Sequence, residues 1–288
     1  WDARIGRWLT TDPAGQFSSP YLGMGNNPIS RIDPDGGYSP PTDFINKQTG
    51  EHKHVKDGIN QIILVDNSDW INVINYSFDV SIGFKKGISF GDTPILPNFL
   101  GIFRFPETGK GFARYSVNFN NENYTAAGQQ QTGDNYISKS GFIALYKTFV
   151  EFNDLTGYTA HYGDISAFDP RIQLGHSSHF RGSAVDIHYI GNNGVELFGN
   201  SAYSSANVIT MNNFFEIAEN NGFTSNFSYG NRFMHKVSTL DGRNNGVHLN
   251  HFHIGLPDSW TNRQGGVRYG NSSTVPLPGN YSSIIPYR

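Results

Sequence analysis

The sequence has no cysteine. This absence excludes a disulfide framework, a thiolate nucleophile, Cys-ligated zinc and the deaminases whose metal is held by thiolates. Any metal bound here must rest on histidine and carboxylate. Excess positive charge is also missing: 21 Lys+Arg against 24 Asp+Glu leave a net charge of −3. No long-range positive field therefore gathers phosphate backbones or anionic lipid, and nucleic acid is disfavoured as a partner. Long apolar runs are absent too, none approaching the roughly 18 residues of a membrane-spanning helix, so membrane insertion is not expected. Trp1-Asp2-Ala3-Arg4 lacks the charged and then apolar pattern of a secretory leader, which places any exporting element upstream in a longer polypeptide. What is present is 288 residues, 37% of them hydrophobic, enough for one large or two modest domains with cores.

Residues 1–37 hold short apolar stretches between Asp12-Pro13-Ala14-Gly15, Gly25-Asn26-Asn27-Pro28 and Asp33-Pro34-Asp35-Gly36, each a turn signal. They read as a strand-and-turn unit with too few apolar residues to bury a core alone. Taken with Trp1-Asp2-Ala3-Arg4-Ile5-Gly6-Arg7-Trp8-Leu9 and Tyr21-Leu22-Gly23-Met24, this order resembles the end of an Rhs/YD-repeat core domain. The resemblance implies an upstream β-cocoon enclosing a C-terminal toxin, with Asp12 and Asp33 heading the two blocks of an aspartyl self-cleavage element. It also implies a secreted effector and a cognate immunity protein that protects the producing cell.

Residues 38–60, with Pro40-Pro41, Lys47, Lys53 and Lys56, suit an exposed linker. His52 and His54 alternate as on one strand face, and no carboxylate constellation nearby in sequence completes a site. Residues 61–134 form a β-rich connector of short runs such as Ile62-Ile63-Leu64-Val65 between Gly, Pro and Asn turns. From 135 the periodicity changes. Ile143, Leu145, Tyr146, Phe149, Val150 and Phe152 follow Ser140 at mainly helical spacing, with Gly157 beyond the end. A second helix is predicted over 205–221, capped by Ser204 or Ser205 and stopped by Gly222. Ala184–Tyr189 and His251–Gly255 read as strands, and 258–288, rich in Ser, Asn, Gly and Pro, as a surface tail. The fold class expected is α+β: a small antiparallel sheet with flanking helices over 135–257, preceded by a β-rich N-terminal segment.

Seven of the ten histidines fall between 176 and 253. In Gly175-His176-Ser177-Ser178-His179-Phe180-Arg181-Gly182-Ser183-Ala184-Val185-Asp186-Ile187-His188, Gly182 permits a tight turn and Ala184 a close approach. A loop ending in His179 can thus fold back beside a strand presenting Asp186. In His248-Leu249-Asn250-His251-Phe252-His253-Ile254-Gly255, residues two apart share a face, so His251 and His253 point to the site while Phe252 and Ile254 enter the core. His248 has odd offset from both and falls on the opposite face of a straight strand. Two imidazoles and one carboxylate suit a catalytic Zn²⁺ whose fourth position takes water, which ionises near neutral pH and attacks a carbonyl carbon. A neutral histidine that is not a ligand can accept and return the proton.

Ser177-x-His179-x-x-Gly182-x-Ala184-x-Asp186 matches the S-x-H-x-x-G-x-A-x-D signature and resembles zinc D-Ala-D-Ala carboxypeptidases. His176-x-x-His179 and His248-x-x-His251-x-His253 instead resemble penicillin-insensitive murein endopeptidases, of the same superfamily; the E-x-x-H of the carboxypeptidases is replaced by Asn250-His251-Phe252-His253. The resemblance implies a zinc peptidase with His179, Asp186 and His253 as ligands, His251 as general base and His248 as an accessory catalytic group. His176 and Ser177 would support the ligands from behind. The implied substrate is the stem peptide of bacterial peptidoglycan, cut at a D-Ala-containing cross-link in the periplasm or cell wall of a target cell.

Bland roles stand beside these. A histidine near a core is usually just hydrogen-bonded, and His188, which shares strand parity with Asp186, suits that role or substrate contact. Arg171 and Arg181 fit either a substrate carboxylate or a solvated surface. Rival functions are a carboxypeptidase trimming terminal D-Ala, a non-enzymatic zinc module, and a metal-dependent nuclease toxin.

Overall fold

The computed structural model describes residues 41–55, 57, 59–76, 91–98, 101–115, 125–126, 129–130, 135–166, 179, 182–233 and 248–256. The chain divides into two compact units, Trp1–Pro97 and Asn98–Arg288. In the first, strands β1 (Thr42–Asn46), β2 (His52–Val55) and β3 (Gln61–Val65) form a sheet in the order β2-β1-β3, followed by helix α1 (Asn67–Asn75). Phe44, Val55, Ile63 and Val65 from the strands meet Trp70 and Val73 of α1 in one apolar cluster. Lys53 crosses to the end of α1 and donates to the carbonyls of Val73, Ile74 and Tyr76, where the helix dipole favours a cation. The stretch read as an exposed linker, 38–60, therefore supplies two strands, and β1 is buried along its whole length. Residues 1–37, with Asp12 and Asp33, lie outside the described residues, as does the tail 258–288.

The second unit is α+β. Its short strands β4 (Phe103–Arg104), β5 (Thr108–Gly109), β6 (Phe112–Arg114), β7 (Thr125–Ala126), β8 (Gln129–Gln130) and β9 (Tyr136–Ile137) precede helix α2 (Lys139–Thr156). Then come β10 (Ala160–Gly163), β11 (Ala184–Ile190), β12 (Glu196–Leu197), helices α3 (Ala202–Ser205) and α4 (Val208–Asn220), and β13 (His251–Gly255). The main sheet runs β12-β11-β10-β6-β5, with β13 also on β11. Its pairings are antiparallel except β6 with β10, which is parallel. Strands β5 and β6, assigned by sequence to the connector, thus belong to the main sheet of this unit, and β4 pairs with β9 in a separate two-stranded sheet.

Local chemistry accounts for the helices. The Ser138 hydroxyl accepts from the amide of Gly141 at 3.1 Å, starting α2 two residues before Ser140, and Gly157 ends it in the left-handed region at φ 73°. The predicted second helix is split: Asn207, not Ser204 or Ser205, caps α4 by accepting from Thr210 N at 2.9 Å. Helix α4 ends at Asn220, and Gly222 follows at φ 98°. The helices cover the sheet through aromatics, with Phe214 packed on Phe152 and on Phe252 at ring separations of 5.0 and 5.2 Å. Phe105, Phe112, Phe142 and Phe149 extend the same layer, and all are buried. Apolar side chains of β11 and β13 take this face, which leaves Asp186, His188, His251 and His253 to the other.

Gly182 sets where β11 begins. Its φ is 61°, its carbonyl accepts from Ser138 N at 2.8 Å, and a Cβ there would lie 2.4 Å from Ile137 Cα and 2.6 Å from Tyr136 O. Those neighbours are backbone and cannot swing away. Gly182→Ala is expected to lower stability by about 2 kcal/mol or more, measured by urea unfolding; an unchanged midpoint would contradict this reading of the turn.

Candidate metal centre

Register brings the site together. β11 and β13 pair with Asp186 opposite His253 and His188 opposite His251, so these four side chains stand on one face in two adjacent rows. His179 reaches the same carboxylate from the segment before β11. Asp186 Oδ1 lies 2.9 Å from His253 Nδ1 and 3.2 Å from His179 Nε2, while Oδ2 lies 3.3 Å from His251 Nε2. All four groups are buried, Asp186 completely.

The three imidazoles share a pattern. His179 Nδ1 contacts the carbonyl of Ile165 at 3.0 Å, His251 Nδ1 the Asn250 side-chain oxygen at 3.0 Å, and His253 Nδ1 the Asp186 carboxylate at 2.9 Å. With its Nδ1–H donating to Asp186, His253 is left with a lone pair on Nε2, whereas the Nε2 atoms of His179 and His251 face the Asp186 carboxylate and donate to it when protonated. His253 Nε2 is buried and has no hydrogen-bond partner among the described residues. A buried acceptor in that state is costly and would be satisfied by a cation. The ligand-capable atoms of His179, Asp186 and His253 lie within 4.8 Å of one another, as do those of Asp186, His248 and His251. These buried groups can hold a metal ion, and the predicted ligand trio is one of the two sets, hinged on Asp186.

His248 is brought in by backbone geometry. Its φ is 69°, uncommon for a residue with a side chain, so the chain turns just before β13 and the odd offset no longer sends the ring to the far side. The His248 ring lies 4.9 Å from that of His251, and its carbonyl accepts from the Tyr189 hydroxyl at 3.0 Å. The straight-strand expectation is corrected here. His188 belongs to neither metal-capable set. It is fixed by stacking on Tyr115 at 4.0 Å and by Glu196, whose carboxylate lies 2.6 Å from its Nδ1. Sequence reading missed Tyr115, Ile165 and Glu196, whose proximity depends on sheet pairing rather than on any local motif. His176, Ser177, Arg171 and Arg181 lie outside the described residues.

Electrostatics separate the histidines. Burial disfavours charge on His253 and, despite the adjacent carboxylate, pushes it down to about 4, so it is neutral at physiological pH. Burial also opposes charge on His179, but Asp186 outweighs it and raises this histidine above its ordinary value. Burial penalises the Asp186 carboxylate, and His179 and His251 overcome that penalty to hold it well below the usual range. The centre thus keeps an anion ready at Asp186 and a lone pair at His253, while at His179 a proton favoured by Asp186 competes with an incoming ion.

No protein-family model matches the chain. A stretch of 36 residues is 53% identical to salivary gland surface protein 1 of Aedes aegypti; it covers 12% of this chain and spans 1% of that protein's length. No helix among the described residues is long and apolar enough to cross a membrane.

Because Asp186 raises His179 and this ring lies against the proposed ion position, uptake of a divalent ion below the raised His179 pKa is expected to release a proton. Affinity then falls by about tenfold per pH unit below the His179 pKa for each proton displaced. Calorimetric titrations in buffers of different ionisation enthalpy measure this, and a binding heat that does not depend on buffer would contradict it.

Proposed function

We propose that the chain is the toxin-bearing end of an Rhs-type effector, and that its second unit is a zinc-dependent peptidoglycan endopeptidase acting on D-Ala-containing cross-links. The observation that carries this reading is the arrangement around Asp186: one oxygen between His179 and His253, the other facing His251. Two imidazoles and a carboxylate favour zinc over calcium or magnesium, and a neighbouring non-ligand histidine is what hydrolysis adds to mere metal retention. Zinc bound there would polarise a substrate carbonyl and acidify a water molecule.

His251 is the general base in this proposal. Asn250 fixes its Nδ1, and its Nε2 lies 3.3 Å from Asp186 Oδ2, which stabilises a proton taken up there. The same proton is then available to a leaving amine. His248, held beside His251 by its turned backbone, is placed to donate toward an oxyanion. Tyr189, its hydroxyl bonded to the His248 carbonyl, positions that segment. The likeness of residues 1–37 to an Rhs core supplies the setting: delivery from an upstream cocoon to the periplasm or cell wall of a target bacterium, with an immunity protein as the protective partner.

Purified sacculi incubated with the protein and separated into muropeptides test the assignment. Cross-linked dimers are expected to be converted to monomers, and a chelator is expected to stop this. His251→Ala is expected to lower the rate by roughly 10²- to 10⁴-fold while metal content by mass spectrometry stays unchanged. Shortened stems with cross-links intact would replace the endopeptidase by the carboxypeptidase. Unaltered muropeptides would reject both, and metal-dependent loss of plasmid DNA would favour a nuclease.

A further inference from the structure

The first unit contains a second group of metal-capable side chains, far from the Asp186 centre in sequence. β1 and β2 pair with Asp43 directly opposite His54 and with His52 opposite Ile45, two residues further along. Asp43, His52 and His54 therefore project from the same face of this two-stranded ribbon. Asp43 Oδ1 accepts from His52 Nε2 at 2.6 Å and from His54 Nδ1 at 2.9 Å. Their ligand-capable atoms all lie within 4.8 Å of one another. Donors around one zinc-sized ion at bond lengths of roughly 2.0–2.2 Å sit about 3–4 Å apart, so small rotations of two imidazoles bring the three atoms to coordination distance.

Burial and charge suit the same use. The Asp43 side chain is 3% exposed, whereas those of His52 and His54 are 30% and 43% exposed. The anion is thus sheltered from water while the imidazoles can turn and an ion can enter from solvent. Lys53, between the two histidines, points to the other face and is engaged by the carbonyls at the end of α1, so its charge is directed away. Two imidazoles with a single carboxylate are a poor cage for calcium or magnesium and a good one for zinc, copper or nickel. β2 is the edge strand of its sheet, and an ion held by these three residues ties it to β1.

We propose that Asp43, His52 and His54 form a second divalent-metal site, taking zinc or a similar borderline ion, that clasps the edge strand β2 to β1. It stands independently of the Asp186 centre and of the hydrolase reading. The test uses the full chain, stripped with chelator and titrated with zinc chloride, as wild type and as the H52A/H54A double variant. Both substitutions fall at partly exposed positions and leave the apolar cluster of the unit intact. H52A/H54A is expected to bind one ion fewer per chain than wild type. Asp43→Asn, which keeps the shape, is expected to weaken that ion by at least roughly tenfold, the loss that removing even an outer partner causes. Hydrogen exchange gives a local readout: zinc is expected to slow exchange in a peptide spanning 51–55 of the wild type and not of H52A/H54A. Equal ion counts in the two proteins, or zinc-independent exchange of this peptide in the wild type, would overturn the proposal and leave a hydrogen-bonded surface cluster.

Discussion

A carboxylate buried without compensation is among the most expensive groups a fold can carry. Asp186 is completely buried, and the second unit is organised so that three imidazoles surround it. The β11–β13 register does most of this. With Asp186 opposite His253, a slip of one residue would put Phe252 on the polar face and bury histidines among Phe214, Phe215 and Tyr189. The apolar packing of one face and the charge constellation of the other therefore enforce the same pairing. Fold and site are two consequences of one alternating pattern.

The parts legible in the sequence are those set by local chemistry or short periods. β13 coincides with its predicted range, and β11 extends one residue beyond Tyr189. α2 falls where apolar spacing and Gly157 put it, with a cap two residues earlier because the Ser138 hydroxyl reaches Gly141. The convergence of His179, Asp186, His251 and His253 followed from Gly182, Ala184 and strand alternation. The helix over 205–221 was less legible: its periodicity was plain, but several Ser and Asn residues compete for the cap, and only tertiary placement selects Asn207.

What remained hidden depends on pairing between distant segments. β6 joins β10 in parallel, and this brings Tyr115 onto His188 from a stretch with no distinguishing pattern. Asp43 precedes His52 by nine residues and meets it only because β1 and β2 form an antiparallel ribbon, which a linker-like composition concealed. His248 reaches the centre through a left-handed backbone that no residue-type preference announces. In each case composition described the segment and topology decided its role.

The proposed chemistry rests on an ion held at Asp186 by His179 and His253. Crystals grown with zinc and measured on both sides of its absorption edge test this most directly. The account predicts an anomalous peak within coordination distance of His179 Nε2, an Asp186 oxygen and a His253 ring nitrogen, with His251 close by but not bonded. Ordered histidines around that carboxylate with no anomalous density among them would contradict it.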